Sequence, residues 1–182
     1  PQILGVTEKG PGPAFETPTT CPSCGGPLER EEGRVALVCV NRLGCPAQQL
    51  AAIEFFASRG QMNIDGLGEK VVAALVSANL VRDVADIFTL SWEQVVALDR
   101  FADQSAKNLV AAIEKARQAA TFSRLLAALG IPHVGGVAAK AIAQKYVRLS
   151  ALRAASAATE HEAFVEQLSE IEGIGEIIAV AV

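Results

Sequence analysis

Four cysteines lie within one short stretch of the 182-residue chain, and cysteine occurs nowhere else in it. They form two pairs, Cys21/Cys24 and Cys39/Cys45, with a C-x2-C-x14-C-x5-C spacing. Two close pairs separated by a hairpin can bring four thiolates into a tetrahedron, the closed geometry of a structural Zn²⁺ site without an open position for catalysis. We therefore predict that these four side chains bind one zinc ion.

Two other states of these thiols are open on sequence grounds, namely two disulfides or free thiols. Disulfides are rare in the reducing cytosol, and the chain begins without a secretory leader, so a cytoplasmic zinc site is the favoured interpretation. His133 and His161 lie far from the cysteines in sequence and are interpreted as surface or packing residues. A module of under about 40 residues cannot fold by apolar burial alone, so metal binding and folding should be coupled over residues 20–46.

Short elements are expected to position the thiols. Gly25 and Gly26 follow the first pair and relieve a tight turn, and residues 34–38 are predicted to form a strand that leads to Cys39. The rest of the chain is predicted to be helical, because its 51% hydrophobic content is rich in alanine and only 5% aromatic. The fold class is therefore mostly α, with a small four-cysteine module that contains a short β-hairpin.

A repeat becomes visible when four segments are aligned on Gly68, Ala102, Gly135 and Gly175, which are 34, 33 and 40 residues apart. Apolar residues occupy the positions four and one before the aligned residue and four and seven after it, which is helical spacing. These residues are Ile64, Leu98, Ile131, Ile171, Leu67, Phe101, Val134, Ile174, Val72, Ala106, Ala139, Ala179, Leu75, Leu109, Ile142 and Val182. We predict four helix-hairpin-helix repeats, with one face of the second helix buried in each.

The turns of these repeats are candidate phosphate-binding sites. Glycines at the turn allow close approach of the backbone, and the unpaired N–H groups that begin the second helix, with its dipole, attract anions independently of base sequence. A lysine follows in three repeats and is either a phosphate ligand or simply solvated. The candidate DNA-binding residues are Gly66, Gly68, Lys70, Ala102, Ser105, Lys107, Gly135, Gly136, Lys140, Gly173 and Gly175.

Two repeats depart from the glycine pattern. The second has Arg100 and Ala102, and the third has His133 before Val134 and Gly135. We expect their turns to be shaped differently and to bind DNA more weakly. Arg100 either replaces a lost amide contact or points into water, and we favour the latter.

Supporting helices are predicted between the repeats. One is opened by Pro46, a second begins with a capping box over residues 91–94, and a third runs from Thr121 until Gly130 ends it. Trp92 and Tyr146 are interpreted as partly buried core residues rather than base-stacking platforms.

Charge and absent motifs limit the function. The net charge is −4, yet residues 61–150 hold ten Lys and Arg against eight Asp and Glu, while residues 151–182 hold one Arg against six Glu. A dinucleotide-binding G-x-G-x-x-G fails because Val71 and Ile178 stand at its third glycine position. No lysine is followed by x-Asp-Gly and no apolar run approaches about 18 residues, so we expect neither a catalytic centre nor a membrane span.

The order of these features resembles the C-terminal half of the bacterial NAD-dependent DNA ligases. The resemblance spans about residues 21–175, and the order of its blocks is more specific than any one of them. Its residues are Cys21-Pro-Ser-Cys24-Gly25, Cys45-Pro-Ala-Gln48, Phe56-Ala-Ser-Arg59, Ile64-Asp-Gly-Leu-Gly68, Ser105-Ala-Lys-Asn-Leu109, Ala128-Leu-Gly-Ile131 and Gly173-Ile-Gly175. It implies that residues 1–19 are the end of an OB domain and a linker, with residues 2–6 as the last OB strand. Residues 20–46 would be the zinc finger and 47–182 the helix-hairpin-helix domain, with its fourth repeat truncated at Val182.

The resemblance also implies a function. The parent enzyme would seal 5′-phosphate and 3′-hydroxyl ends at nicks in replication and repair, using NAD and Mg²⁺ that this part of the chain does not bind. This part, inactive alone, would hold nicked duplex DNA across the minor groove beside the adenylation, OB and BRCT domains. We expect a monomer near the nucleoid. The alternatives are a helix-hairpin-helix protein of other repair or recombination pathways and a protein-interaction scaffold.

Overall fold

The computed structural model describes residues 12–13, 16–30, 35–42, 44–99 and 101–182. It divides into two compact units, Pro1–Cys45 and Pro46–Val182. Among the described residues, two short strands lie in the first unit, while nine α-helices and one 3-10 helix lie in the second. The mostly α fold with a small hairpin is therefore confirmed. No helix in the described part of the chain combines the length and apolarity that a membrane crossing requires.

The first unit contains a small antiparallel hairpin. Strand β1 is Leu28–Arg30 and strand β2 is Leu37–Cys39, paired so that Leu28 faces Cys39. The strand predicted over residues 34–38 was wrong in extent, because the ladder is only three residues long and Val35 stands outside it with 87% of its surface exposed. Residue 34 and the strand predicted over residues 2–6 lie outside the described residues. The hairpin ends on a cysteine, which places that thiol against the first cysteine pair.

The second unit consists of helices joined by four tight connections. The helices are α1 Pro46–Ala57, α2 Glu69–Ser77, the 3-10 helix Asp86–Thr89, α3 Trp92–Val96, α4 Asp103–Ala119, α5 Phe122–Ala128, α6 Gly136–Tyr146, α7 Leu149–Ala158, α8 His161–Ser169 and α9 Glu176–Ala181. We name the connections hairpins 1 to 4, residues 63–68, 97–102, 129–135 and 170–175. Helix α7 lies between hairpins 3 and 4, which accounts for the longer last spacing of the repeat.

Three of the predicted helix starts are confirmed by their capping residues. Pro46 is the first residue of α1, where its missing N–H costs nothing. Ser91 and Gln94 form the predicted capping box: the Gln94 N–H donates to Ser91 Oγ (3.4 Å), and the Ser91 N–H donates to Gln94 Oε1 (2.9 Å). The Thr121 hydroxyl accepts from the Arg124 N–H (3.3 Å) at the start of α5. Local sequence alone therefore sets where these helices begin.

The helices pack around two hydrophobic cores. The first core extends from Ile53 in α1 to Ala128 in α5, and the second extends from Leu126 in α5 to Ala179 in α9. Helix α5 contributes to both, since Ala128 lies in the first core, with Leu125 packed against it, and Leu126 lies in the second. The second unit is therefore built as two halves, each with two hairpins, that share one helix.

The predicted repeat positions form much of these cores. The residues four positions after the aligned one are at most 2% exposed in all four repeats: Val72, Ala106, Ala139 and Ala179. Tyr146 is also buried and packs against Phe164 at a ring distance of 6.4 Å, as its interpretation as a core residue requires. The same interpretation was wrong for Trp92, which lies outside both cores, with 36% of its surface exposed and the Lys107 Nζ 5.9 Å from its ring centroid.

Candidate metal centre and nucleic-acid interface

The first cysteine pair lies in a turn closed by its own backbone. The Cys21 N–H donates to the Gly26 carbonyl (2.7 Å), and the Gly25 N–H donates to the Cys21 carbonyl (2.8 Å). Gly25 has φ +70°, a conformation that disfavours any side chain, and a Cβ at Gly26 would lie 3.3 Å from the Cys24 sulfur. The backbone conformation therefore favours glycine at position 25 and close packing favours it at position 26, where the sequence predicted a tight turn.

A second turn presents Cys45. Its N–H donates to the Asn41 carbonyl (2.9 Å), while Asn41 Oδ1 accepts from the Gly44 N–H (3.1 Å). A Cβ at Gly44 would lie 2.5 Å from Asn41 Oδ1, so only glycine leaves room for this side-chain cap. The five-residue gap between Cys39 and Cys45 is filled by this turn.

The two turns and the two strands bring all four sulfurs together. The Sγ atoms lie within 4.8 Å of one another, with 3.9 Å between Cys21 and Cys45 and 3.5 Å between Cys24 and Cys39. A disulfide needs sulfurs about 2.05 Å apart, and all four cysteines are unbonded, so the disulfide alternative was wrong. Four sulfurs at about 2.3 Å from a central zinc are about 3.8 Å apart, and the observed cluster fits that tetrahedron.

The thiols of this cluster do not ionise alike without a cation. Burial raises the pKa of Cys39 from 9.0 to about 11. Hydrogen bonds from the backbone of Cys24 and then of Ser23 lower the pKa of Cys21 below 9.0. Holding four thiolates in so small a volume requires a positive charge among them, which a divalent metal supplies.

All four hairpins close with the same backbone hydrogen bond. The N–H of the apolar residue before the aligned position donates to the carbonyl three residues earlier, over 2.9 to 3.2 Å. The third residue of this turn has positive φ at Gly66 (85°) and Gly173 (82°), as a type II turn requires. The aligned residue is the N-cap of the next helix each time, with φ between −95° and −85°. The predicted helix starts are therefore confirmed in all four repeats.

The third hairpin reaches this geometry without glycine at the turn. His133 has φ +67°, and Pro132 precedes it at the position that type II turns favour for proline. The Val134 N–H bonds to Ile131 over 3.0 Å as in the other repeats, so the expectation of a differently shaped third turn was wrong. Hairpin 2 has the same closing bond, from Phe101 to Leu98 (3.2 Å), and Arg100 itself lies outside the described residues.

The corners of the hairpins are open to solvent. Gly68, Gly135 and Gly175 are exposed, and a Cβ at any of them would meet nothing within 4 Å. Over the described part of the chain, the N–H groups of the first two residues of α2, α4, α6 and α9 have no hydrogen-bond acceptor. Two of the aligned residues use their own N–H internally. The Ala102 N–H donates to Ser105 Oγ (3.0 Å), whose hydroxyl donates back to the Ala102 carbonyl (2.8 Å), and the Gly135 N–H donates to the His133 carbonyl (3.2 Å). Hairpins 2 and 3 therefore each satisfy one donor internally.

The three lysines that follow the corners differ in their partners. Lys107 forms an ion pair with Asp103 (2.8 Å), one helical turn earlier. Lys70 and Lys140 are exposed, and within the described ranges neither forms an ion pair or a hydrogen bond. Hairpins 1 and 3 are therefore each followed by a lysine that has no ion-pair partner among the residues that the structure describes.

The hairpins are arranged in pairs within the second unit. Hairpins 1 and 2 line one concavity of about 990 Å³, which includes Gly66, Lys70, Phe101 and Ser105. Hairpins 3 and 4 line another of about 660 Å³, formed by His133, Gly175, Glu176, Ile177 and Ile178. The candidate contacts are thus gathered at two places.

Two exposed apolar residues at these corners were missed from the sequence. Val137 and Ile177 stand two positions after the aligned Gly135 and Gly175, with 83% and 70% of their surfaces exposed. The repeat alignment could have revealed them, because the position two residues after the aligned one is polar in the first two repeats and apolar in the last two.

Thiol cluster and hairpins together define a protein that combines a four-cysteine zinc finger with tandem helix-hairpin-helix motifs. Residues 20–47 match the family model described as the NAD-dependent DNA ligase C4 zinc finger domain. Residues 62–115 match a SAM-like helix-hairpin-helix tandem, and residues 124–182 match a helix-hairpin-helix motif. The two helical matches coincide with the two halves of the second unit.

Curated relatives named DNA ligase match along the whole chain. Identity is 43% with the protein from Chloroherpeton thalassium and 44% with that from Oenococcus oeni, over 100% of this chain and 26% and 25% of those proteins. It is 42% with the protein from Levilactobacillus brevis, over 98% of this chain and 25% of that protein. The chain thus spans about a quarter of the length of the curated relatives it matches. It belongs to the NAD-dependent DNA ligase family.

Proposed function

We propose that this chain is the part of an NAD-dependent DNA ligase that holds nicked duplex DNA without reading its sequence. The observation that carries the proposal is the shared corner geometry: four hairpins place unpaired N–H groups at an exposed helix start. Such groups, together with the helix dipole, bind phosphate oxygens and carry no base information. The candidate residues at the four corners, with Lys70, Lys107 and Lys140, form the proposed interface.

The open corners allow a direct test with a variant that should still fold. A side chain at Gly68 meets no atom of the protein, so Gly68→Val should leave the melting temperature nearly unchanged while blocking backbone approach to phosphate. Gly60→Val places the same side chain at another open glycine, outside the hairpins, and should bind like the parent. Equal affinity of the two variants for labelled nicked duplex, in the same salt, would show that the hairpin mechanism is wrong.

For the first unit we propose that Cys21, Cys24, Cys39 and Cys45 bind one structural Zn²⁺. The bound ion would supply the charge that holds four thiolates together and would leave no coordination position for chemistry. In the part of this unit that the structure describes, the sheet is a three-residue ladder and the buried hydrophobic side chains are three of the cysteines, so we infer that its fold depends on the metal.

Metal analysis and chelation test this assignment. Protein purified under reducing conditions should contain one zinc per chain by elemental analysis. Chelation should increase amide exchange over residues 20–46 before it affects the helical unit, because that unit has its own cores. Cys45→Ser should reproduce the chelated state, and a zinc-free protein with a protected first unit would exclude the metal site.

The wider roles follow from the family. We propose that the whole protein seals nicks in replication and repair in the bacterial cytoplasm, with NAD and Mg²⁺ bound by domains other than this one. Residues 1–19 would be the end of the OB domain and a linker, 20–46 the zinc finger and 47–182 the helix-hairpin-helix domain. The chain would act as a monomer beside the adenylation, OB and BRCT domains. Added alone to nicked DNA and NAD, it should bind without sealing.

A further inference from the structure

The second residue of the helix after each hairpin divides the four repeats into two kinds. It is Lys70 in hairpin 1 and Gln104 in hairpin 2, but Val137 in hairpin 3 and Ile177 in hairpin 4. Val137 and Ile177 are 83% and 70% exposed. Single exposed aliphatic residues are ordinary on a protein surface, but two at equivalent positions of paired hairpins indicate a partner with an apolar component.

The surroundings of these two side chains restrict that partner. Each follows directly on the exposed amide groups that begin α6 or α9, and His133, Gly175 and Ile177 line one concavity. The partner must therefore offer hydrogen-bond acceptors and apolar surface within a few ångströms of each other. The wall of the DNA minor groove does so, because phosphate oxygens alternate there with the C–H faces of deoxyribose.

The charges at hairpin 4 do not favour electrostatic attraction to DNA. Glu172 and Glu176 flank its corner, and no Lys or Arg occurs after Arg153 in the chain. Among the described residues, Lys145 reaches this hairpin, but its Nζ donates to the Gln167 carbonyl (2.7 Å) and pairs with Glu170 (3.9 Å), so its charge is already compensated by protein groups. Contact between an aliphatic side chain and a sugar gains free energy by removing apolar surface from water, which does not depend on salt.

We propose that Val137 and Ile177 contact the deoxyribose faces of the minor groove, so that hairpins 3 and 4 add an apolar contact at the position where hairpin 1 presents the charge of Lys70. This inference rests on the proposed function, namely that the hairpins bind duplex DNA. It predicts that the binding free energy has two contributions. The contribution from ionic contacts weakens as the salt concentration rises, and the contribution from apolar contacts does not.

A salt series on labelled nicked duplex separates the two contributions. Val137→Ser with Ile177→Ser should weaken binding by roughly fivefold per side chain at every salt concentration, with the slope of log affinity against log salt unchanged. Lys70→Gln should instead reduce that slope by about 0.9, the value for one phosphate contact. Val180→Ser removes a valine that is 56% exposed on the same helix α9, and it should bind like the parent.

The outcomes distinguish this inference from the proposed function. If the double serine variant binds like the parent while Gly68→Val and Lys70→Gln weaken binding, the apolar contact is wrong and the hairpin mechanism stands. A loss as large with Val180→Ser would also overturn the inference, since the effect would not belong to the corners. If the parent chain does not bind duplex DNA, both proposals fail. Because these positions are exposed, the serine substitutions should leave the melting temperature unchanged. Val137→Ile keeps an apolar side chain at the corner and should bind like the parent.

Discussion

The two halves of the helical unit reach the same corner geometry with different side chains. Hairpin 1 uses Gly66 at the turn position that needs positive φ, whereas hairpin 3 places His133 there. Both close with a bond between buried or half-buried apolar residues, Ile64 to Leu67 and Ile131 to Val134. The difference teaches that the apolar residues on either side impose the turn, and that glycine lowers its conformational cost without being required for it.

The largest expected effects come from equivalent core positions of the two halves. Leu75 in the first core and Ile142 in the second are 1% and 0% exposed. Leu75→Ala and Ile142→Ala should each lower the free energy of unfolding by about 2 to 5 kcal/mol, measured by chemical denaturation. Amide exchange should rise mainly in the half that carries the substitution, and a uniform rise after either change would show that the halves are one cooperative core.

A smaller effect is expected from the turn residues themselves. Gly66→Ala should cost about 1 to 2 kcal/mol, because an L side chain is disfavoured at φ +85° while its Cβ would meet only Leu109 at 3.8 Å. His133→Gly should change stability in the opposite direction, by up to about 1 kcal/mol, since it relieves a strained residue. Thermal unfolding measures both, and Gly60→Ala serves as the control. A loss of stability in His133→Gly would mean that the imidazole makes a contact that outweighs the strain.

The smallest expected effect concerns the aromatic pairs of the two cores. Phe56 packs edge-on against Phe88 in the first core at 6.0 Å, without a polar group, whereas the Tyr146 hydroxyl is buried in the second core without a hydrogen-bond partner in the described structure. Tyr146→Phe should therefore raise stability by about 1 kcal/mol at neutral pH.

The pH dependence of that substitution sharpens the test. Burial, and then the charge of Glu170, raise the pKa of Tyr146 above 10.0, so the folded protein favours the neutral phenol. Stability from this preference is present below pH 10 and is lost as the pH rises further, because the unfolded chain ionises first. The advantage of Tyr146→Phe in denaturation experiments should grow above pH 10. An advantage that stays constant would mean that the hydroxyl is hydrated in solution.

Much of the helical unit could be predicted because its residues carry a periodic signal. The aligned positions, the buried faces and three helix starts follow from spacing and capping residues, which act locally. The turn at His133 could not be predicted, because side-chain type alone does not reveal that neighbours force a left-handed backbone. The extent of β2 was also missed, since its length is set by a partner strand of only three residues.

The two candidate sites also differ in how much of them the sequence predicted. The four cysteines were predicted from spacing, and the structure brings their sulfurs together because closely spaced pairs need only tight turns to meet. At the hairpins, the ion pair between Lys107 and Asp103 and the bond between Ser105 and Ala102 were not predicted. Both depend on which rotamers a helix start allows, and many residues are compatible with the same repeat pattern.

Helix α5 belongs to both cores and is only seven residues long, from Phe122 to Ala128. Arg124 extends from it to the Gln61 carbonyl beside hairpin 1, and hairpin 3 begins directly after it. The position of the second pair of hairpins relative to the first consequently depends on how this one helix is held. A substitution that shifts α5 would therefore move hairpins 3 and 4 relative to hairpins 1 and 2, although it would change no residue of any hairpin.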